Sequence, residues 1–354
     1  MKAKYNPIFY VYLFILQAIP QVLPLALSSS SFKKINEDRA GSVLVVGATG
    51  GTGTRALQGL LDIGYKPSQM RLLTRNPQKI ESLKEKFGFQ ICQVDLDDGL
   101  SKELNNALVD CVGCYIHSTS SDTRKLDTAE ESRARTLAKA MQVSSSSFHV
   151  VYNSAAGEPE HGVKRIQQKQ DVEKIFREEF PDIPFTSLRA NLFMEELWKG
   201  YTRPAILKGK FPFSTPSDRK IYLTSVRDMG RIAGTCIAKE LYIGEDINIA
   251  GDVLSAKQIA SAFAEAQQSP CKHSEAKVFG FLAQLFFRDL YEVIRFYRRS
   301  TETTDIKALT TKFPGHLTGF VSFLEETDWG NTDLAFDSFI SSFLVEERNS
   351  GILN

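Results

Sequence analysis

The sequence predicts a doubly wound, mostly parallel α/β sheet followed by a smaller C-terminal α/β region. Three observations carry that expectation. The apolar, β-branched run Ser42-Val43-Leu44-Val45-Val46 enters Gly47-Ala48-Thr49-Gly50-Gly51-Thr52-Gly53, with glycines at i, i+3 and i+6. A helical pattern follows from Thr52 to Gly64. Short apolar runs then alternate with helical patterns to about residue 190, the rhythm of a parallel sheet with right-handed crossovers.

In order, Met70 to Arg75 reads as the second strand, Pro77 to Phe87 as a helix with proline at its start, and Phe89 to Val94 as the third strand. Asp98 to Val109 is helical, Cys111 to Ile116 is the fourth strand and Asp122 to Met141 a long charged helix. Phe148 to Asn153 is the fifth strand, Gly162 to Phe180 a helix and Pro184 to Arg189 the sixth strand. Beyond Asn191 the pattern loosens. Ser225-Val226-Arg227-Asp228 has the spacing of a capping box opening a helix to Ala238, Asp246 to Ala250 reads as a late strand, and Ser255 to Gln267 as a helix. Lys277 to Arg299 is rich in Phe, Leu and Tyr at helical spacing, which reads first as a packing helix and second as pocket lining.

Composition narrows the function classes. The 354 residues carry 43 basic and 42 acidic side chains, net +1, so no nucleic-acid partner is indicated. With 42% hydrophobic residues the chain can build a sizeable core. Five scattered cysteines suggest free thiols rather than a disulfide framework. Cys111 and Cys114 form a Cys-x-x-Cys, but three-residue spacing in a regular strand would put them on opposite faces, which opposes a redox pair.

Residues 1–40 read as a targeting segment. Lys2 and Lys4 precede the apolar run Ile8 to Ile19, Pro20 and Pro24 interrupt it, and Ala26-Leu27-Ser28 offers small residues for cleavage. The run is 12 residues, short of the roughly 18 to 20 that a membrane span needs, so no membrane association is expected after processing. The following Ser28–Ser31, Phe32, Lys33 and Lys34 resemble the transit part of a bipartite plastid presequence. Free nicotinamide dinucleotide is scarce outside cells, and no Asn-x-Ser/Thr acceptor occurs in the chain. A plastid address is therefore the expectation; endoplasmic reticulum or membrane anchoring is the alternative.

The glycine spacing between a strand and a helix describes a phosphate site, because the backbone can approach a pyrophosphate and the helix N-terminus favours negative charge. Gly47, Thr49, Gly50, Gly51, Thr52 and Gly53 are the expected dinucleotide contacts. About twenty residues on, where an acidic residue would select NAD, stands Thr74-Arg75-Asn76-Pro77. A guanidinium pairs with a 2′-phosphate, so Thr74 and Arg75 point to NADP(H), with Lys79 a possible second charge. At the end of the third strand, Asp95 and Leu96 resemble the aspartate and apolar residue with which the short-chain dehydrogenase/reductase superfamily contacts the adenine ring; Asp95 could otherwise merely cap the next helix.

The Gly-x-x-Gly-x-x-Gly spacing resembles the short-chain dehydrogenase/reductase superfamily with its Rossmann-type sheet. With Thr74–Pro77, Val94-Asp95, Lys169 to Glu173, Thr186 to Glu195, Ser225 to Ile237, Asn248 to Gly251 and Thr304 to Phe323, the chain resembles the NmrA-like branch. The resemblance implies one NAD(P)-binding domain over 41–345, with a Rossmann core at 42–190 and a substrate-side part at 191–330. It implies either a redox-sensing regulatory binder, which could act on a protein partner, or an NADPH-dependent reductase of a small apolar carbonyl or enone.

One departure separates those readings. The superfamily's Tyr-x-x-x-Lys pair is missing, since no tyrosine precedes a lysine by four residues. If Lys169 is the family lysine, which would hold the nicotinamide ribose, Arg165 stands where the tyrosine would be, and a guanidinium is no general acid near neutral pH. Ser154 matches the carbonyl-orienting serine. His161, and with less support His117, are the candidate substitute acids. No metal-ligand pattern is apparent. The missing tyrosine favours the regulatory reading.

Overall fold

The structure, a computed structural model, describes residues 41–48, 51–119, 127–144, 148–157, 162–198, 202–275, 288–299 and 304–334. The N-terminal residues 1–40, expected to be a targeting segment, and Thr49, Gly50 and His161 lie outside the described residues.

The central sheet has seven parallel strands: β1 (Ser42–Val46), β2 (Met70–Thr74), β3 (Gln90–Gln93), β4 (Cys111–Ile116), β5 (His149–Ala155), β6 (Phe185–Ala190) and, much later in the chain, β10 (Asp246–Ile249). Their order is β10-β6-β5-β4-β1-β2-β3, so the chain builds outward from β1 on one side and returns through β4 on the other. That reversal opens a crevice at the carboxyl ends of β1 and β4. Helices α1 (Gly51–Asp62) and α7 (Val226–Lys239) cover one face of the sheet, packed on Val43, Val45 and Tyr115. Helices α3 (Lys102–Leu108), α4 (Glu130–Val143) and α5 (Lys164–Lys174) cover the other, packed on Leu44, Val46 and Tyr152. Short α2 (Glu81–Phe87) joins β2 to β3. Strands buried on both faces explain why the sequence shows continuous apolar runs rather than alternation.

The C-terminal part is a second layer. It contains β7 (Leu192–Phe193), α6 (Arg203–Leu207), β8 (Lys210–Phe213), β9 (Lys220–Thr224), β11 (Asp252–Ser255), α8 (Ala256–Ala266), β12 (Lys272–Glu275), α9 (Arg288–Arg299), α10 (Ile306–Lys312) and α11 (Phe320–Glu326). Strands β11, β9 and β7 form one small sheet, and β12 and β8 another. Around them Trp198, Phe211, Phe263, Phe320 and Trp329 make a separate aromatic core. The short strands β7, β8, β9, β11 and β12 are absent from the sequence expectations, because runs of two to five residues show no usable period.

Helices α1 and α7 touch through glycine. A Cβ on Gly59 would sit 2.1 Å from the Arg227 carbonyl oxygen, and one on Gly230 would sit 2.0 Å from that of Ala56. Charges lock the same contact: Arg227 and Arg231 of α7 both reach Asp62 at the end of α1, at 2.6 Å each, with all three side chains buried. The helix that opens the phosphate loop is therefore clamped along its length.

Two local expectations are corrected. Cys111 and Cys114 do not point to opposite faces; both enter the same core cluster. The β1–β4 register shifts, Ser42 pairing with Cys111 and Val43 with Gly113, so a bulge at Val112 resets the alternation. All five cysteines are free thiols. Nor does Ser225 cap α7 through a capping box. Its hydroxyl donates to Glu195 Oε1 at 3.1 Å, and it is the Glu195 carboxylate that accepts the Val226 N–H at 3.0 Å. Asp228, the expected box partner, instead accepts from the N–H and hydroxyl of Thr318. A buried carboxylate brought from another element displaced the local partner.

Candidate functional site

Strand β1 ends at Val46, and Gly47 turns the chain with φ +85°, a conformation that side chains disfavour. A Cβ there would also lie 2.4 Å from the Ser118 carbonyl oxygen, so glycine lets the loops after β1 and β4 meet. Gly53, in the first turn of α1, stacks on the same loop: a Cβ would fall 2.0 Å from the Gly47 carbonyl oxygen. Thr54 secures the turn, its hydroxyl donating to the Ala48 carbonyl. The N-terminal N–H groups of α1 thereby face the crevice beside β1.

On one side of this loop a cleft of about 130 Å³ is lined by Gly47, Thr74, Arg75, Asp95, Leu96 and Ser118, among others. The structure thus brings together five residues expected from sequence: Gly47, Thr74, Arg75, Asp95 and Leu96. Arg75 is exposed and Thr74 buried, the latter turning the chain by accepting the Asn76 N–H. Asp95 does cap the short 3₁₀ turn Leu96–Asp98, accepting from the Asp97 N–H at 3.0 Å, and lines the cleft as well. Gly51 and Thr52 are described only as the first residues of α1, and the Lys79 side chain lies outside the described set.

Arg133 of α4 is a cleft residue that the sequence reading missed. It pairs with Asp97 and Asp127 at 2.6 Å each and donates to the Thr119 carbonyl at 2.8 Å. It thereby ties the loops after β3 and β4 together. Its contacts hold the Asp97 carboxyl below the usual carboxylate range, mainly through the Arg133 hydrogen bond. An arginine in a charged helix gives no sequence signal of such a role.

A second pocket, of about 220 Å³, lies beyond the ends of β5 and β6. Asn153, Ser154, Arg165, Lys169, Leu192 and Phe296 are among its lining residues. Helix α5 is fixed against β5 by Gln170, which donates to the Gly157 carbonyl at 2.7 Å, so Arg165 and Lys169 stand one turn apart on the same wall. Lys169 Nζ binds the buried Glu130 carboxylate at 2.5 Å and stands 5.4 Å from the Tyr152 ring centroid. Lys169 and Ser154 therefore lie together, as the sequence reading requires.

His117 is placed beside the pocket but is unsuited to act as an acid. Its ring is 5% exposed, and Nδ1 accepts from the Asn153 amide at 2.9 Å. Burial, with the Lys169 charge adding to it, pushes its pKa down to about 3, so it is a neutral imidazole at physiological pH. A second missed residue is Tyr297 of α9, which lines the pocket with Phe296. The expectation that this segment chiefly packs is half right. Tyr297 packs on Phe213 with ring centroids 5.9 Å apart, yet is also among the pocket's lining residues. Burial raises its phenol above the usual tyrosine range. Among the described residues no His, Cys, Asp and Glu group could hold a metal, and no helix is long and apolar enough to cross a membrane.

Solved structures similar to this chain include triphenylmethane reductase of Citrobacter sp. with NADP(H), 19% identical, TM-score 0.65, covering 81% of this chain and 99% of that one. An NADPH-dependent quinone oxidoreductase of Escherichia coli is 18% identical, TM-score 0.59, covering 80% and 98%. The negative transcriptional regulator NmrA with NAD is 15% identical, TM-score 0.62, covering 88% and 98%. No curated protein matches the sequence. The NmrA-like family profile matches residues 39–317, spanning both the glycine loop and the Lys169 pocket: the chain belongs to the NmrA-like family.

Proposed function

We propose that this protein binds NADP(H) across the crevice and serves as a redox-sensing or regulatory dinucleotide binder. The observation that carries this is the pair of cavities at the carboxyl edge of the sheet, the first lined by Gly47 and Arg75 and the second by Ser154 and Lys169. The 2′-phosphate would pair with Arg75, the pyrophosphate with the start of α1, the adenine with Asp95 and Leu96, and the nicotinamide ribose with Lys169. Similar folds solved with NADP(H) support the cofactor assignment.

Such a cofactor supplies hydride chemistry, and this chain's residues position it but lack the usual proton route. Arg165 occupies the tyrosine position, His117 is held neutral, and Lys169 is engaged by Glu130. A second reading rests on Tyr297: a phenol in the pocket could serve an atypical NADPH-dependent reductase of a small apolar carbonyl or enone, with His161 the other candidate acid.

Titration with NADPH and NADH tests the proposal. One charge-assisted bidentate contact is worth about 1.5 to 3 kcal/mol, so NADPH should bind about 10- to 150-fold tighter. Arg75→Glu should erase or invert that ratio. Equal affinities in the unmutated protein would sink the NADP(H) assignment.

A further inference from the structure

The pocket beside Lys169 holds buried polar groups that have no hydrogen-bond partner within the protein. Arg165 Nε and Nη2 are both buried without a hydrogen-bond partner. So are Ser154 Oγ, in a residue 4% exposed, and Asn153 Oδ1, in a residue 5% exposed. Buried polar atoms are rarely left unpaired, so this concentration in one cavity describes a site that completes itself with a ligand.

The edge that Arg165 presents specifies the ligand's chemistry. Nε–H and Nη2–H lie side by side and match the two oxygens of a carboxylate. The chain itself uses this edge repeatedly. Arg133 holds Asp97 through Nε at 2.7 Å and Nη2 at 2.6 Å. Arg227 holds Asp62 through Nε at 2.6 Å and Nη2 at 2.9 Å. Arg189 grips Glu173 in the same manner. Arg165 lines a cavity whose described lining residues include no Asp or Glu. Lys169, the other cation there, is already neutralised by Glu130. Among the described lining residues the uncompensated charge is therefore that of Arg165.

Val163, Ile166, Leu192, Phe193 and Phe296 give the pocket apolar walls, with Asn191 and Tyr297 also in its lining. Ser154, with a hydroxyl free to donate, offers a further contact to an anion. Asn153 Oδ1 is an acceptor and suits a donor such as the carboxamide of a bound nicotinamide.

We propose that this pocket binds a small aromatic or apolar monocarboxylate, its carboxylate forked by Arg165 Nε and Nη2 and its body against Phe296 and Leu192. The proposal rests on the dinucleotide reading only in leaving Asn153 to the cofactor. In regulatory terms, such an acid would occupy the place of a substrate beside the nicotinamide.

The test is calorimetric titration of the full chain with cinnamate and with its neutral isostere cinnamamide, with and without saturating NADP⁺. Cinnamate should bind at least about tenfold tighter than the amide, since a charge-assisted pair is lost in the amide. Arg165→Gln should remove the preference. Arg165→Lys, which keeps the charge but loses the fork, should leave only part of it. Equal affinities for acid and amide, no saturable binding of cinnamate, or a preference that survives Arg165→Gln would each overturn the proposal. Should Arg165→Gln fail to fold, the acid-to-amide ratio in the unmutated protein decides alone. The titrations without NADP⁺ separate this outcome from failure of the cofactor assignment, which would show as absent NADP⁺ binding whatever the acid does.

Discussion

Replacing Gly53 with alanine tests whether the packing of α1 against its own loop is what builds the phosphate site. The new methyl group would lie 2.0 Å from the Gly47 carbonyl oxygen and 2.9 Å from Ala48 Cα, against an ordinary contact of 3.4 Å or more. Both neighbours are backbone, so neither can swing aside as a side-chain tip would. Relief requires the loop and helix to separate by more than about 1 Å, and such overpacking typically costs about 1 to 3 kcal/mol of stability. Hydrogen bonds from loop N–H groups to phosphate oxygens hold only over about 2.7 to 3.2 Å, so a shift of that size breaks at least one. Losing one charge-assisted bond, about 1.5 to 3 kcal/mol, should weaken NADPH binding about 10- to 150-fold. Fluorescence titration measures the affinity, and thermal unfolding with and without cofactor measures the stability. Gly59→Ala is the control: its methyl would meet the Arg227 carbonyl at 2.1 Å, about 9 Å further along α1. It should lower the melting temperature while leaving the affinity of the folded protein unchanged. A Gly53→Ala protein with unaltered NADPH affinity would refute the reasoning.

Other expectations follow from individual contacts. Lys169→Ala should weaken cofactor binding and leave Glu130 buried without its cation, while hydride transfer stays undetectable before and after; steady carbonyl reduction that depends on Lys169 would instead establish the reductase. In that case His161→Ala or Tyr297→Phe should cut the rate about 10²-fold or more, and far more than the affinity. Burial pushes the Asp62 carboxyl up, but Arg227 and Arg231 outweigh it and hold the pKa down at about 2, against an ordinary 3.8. Because the folded-state value is the lower one, the stabilisation is full above the ordinary pKa and is lost as pH falls through about 2. It amounts to about 2 kcal/mol. Urea unfolding of Asp62→Asn across this acid range should show that loss removed, along with about 3 kcal/mol less stability at neutral pH from two stranded arginines; an unchanged acid limb would contradict the assignment. We also propose that residues ahead of the fold are a plastid targeting segment removed on import. N-terminal sequencing of the native protein should start between Ser28 and Ala40, and an intact Met1-to-Ile19 segment would mean an anchor.

The sequence by itself determined the sheet and half of the site. Runs such as Val43–Val46 and Val150–Tyr152, buried on both faces, have one stable use, and the strand-to-helix glycine loop fixes where a phosphate would sit. Arg75, Asp95 and Leu96 were legible because they follow strand ends, whose side of the sheet is set by the winding rule. Only the tertiary structure decided matters that depend on groups far apart in the chain. The bulge at Val112 turned Cys111 to the face of Cys114, which no local period reports. Glu195, arriving from the loop after β7, took over the cap that Ser225 seemed to supply. His117 lost its promise as an acid because Asn153 and burial, not its own strand, set its charge state. Arg165 read as a mere substitution for tyrosine until its Nε–Nη2 edge was found unpaired in a cavity closed by Phe296, 131 positions later. Side-chain periodicity reports which face is buried; it carries no record of which distant partner meets it there.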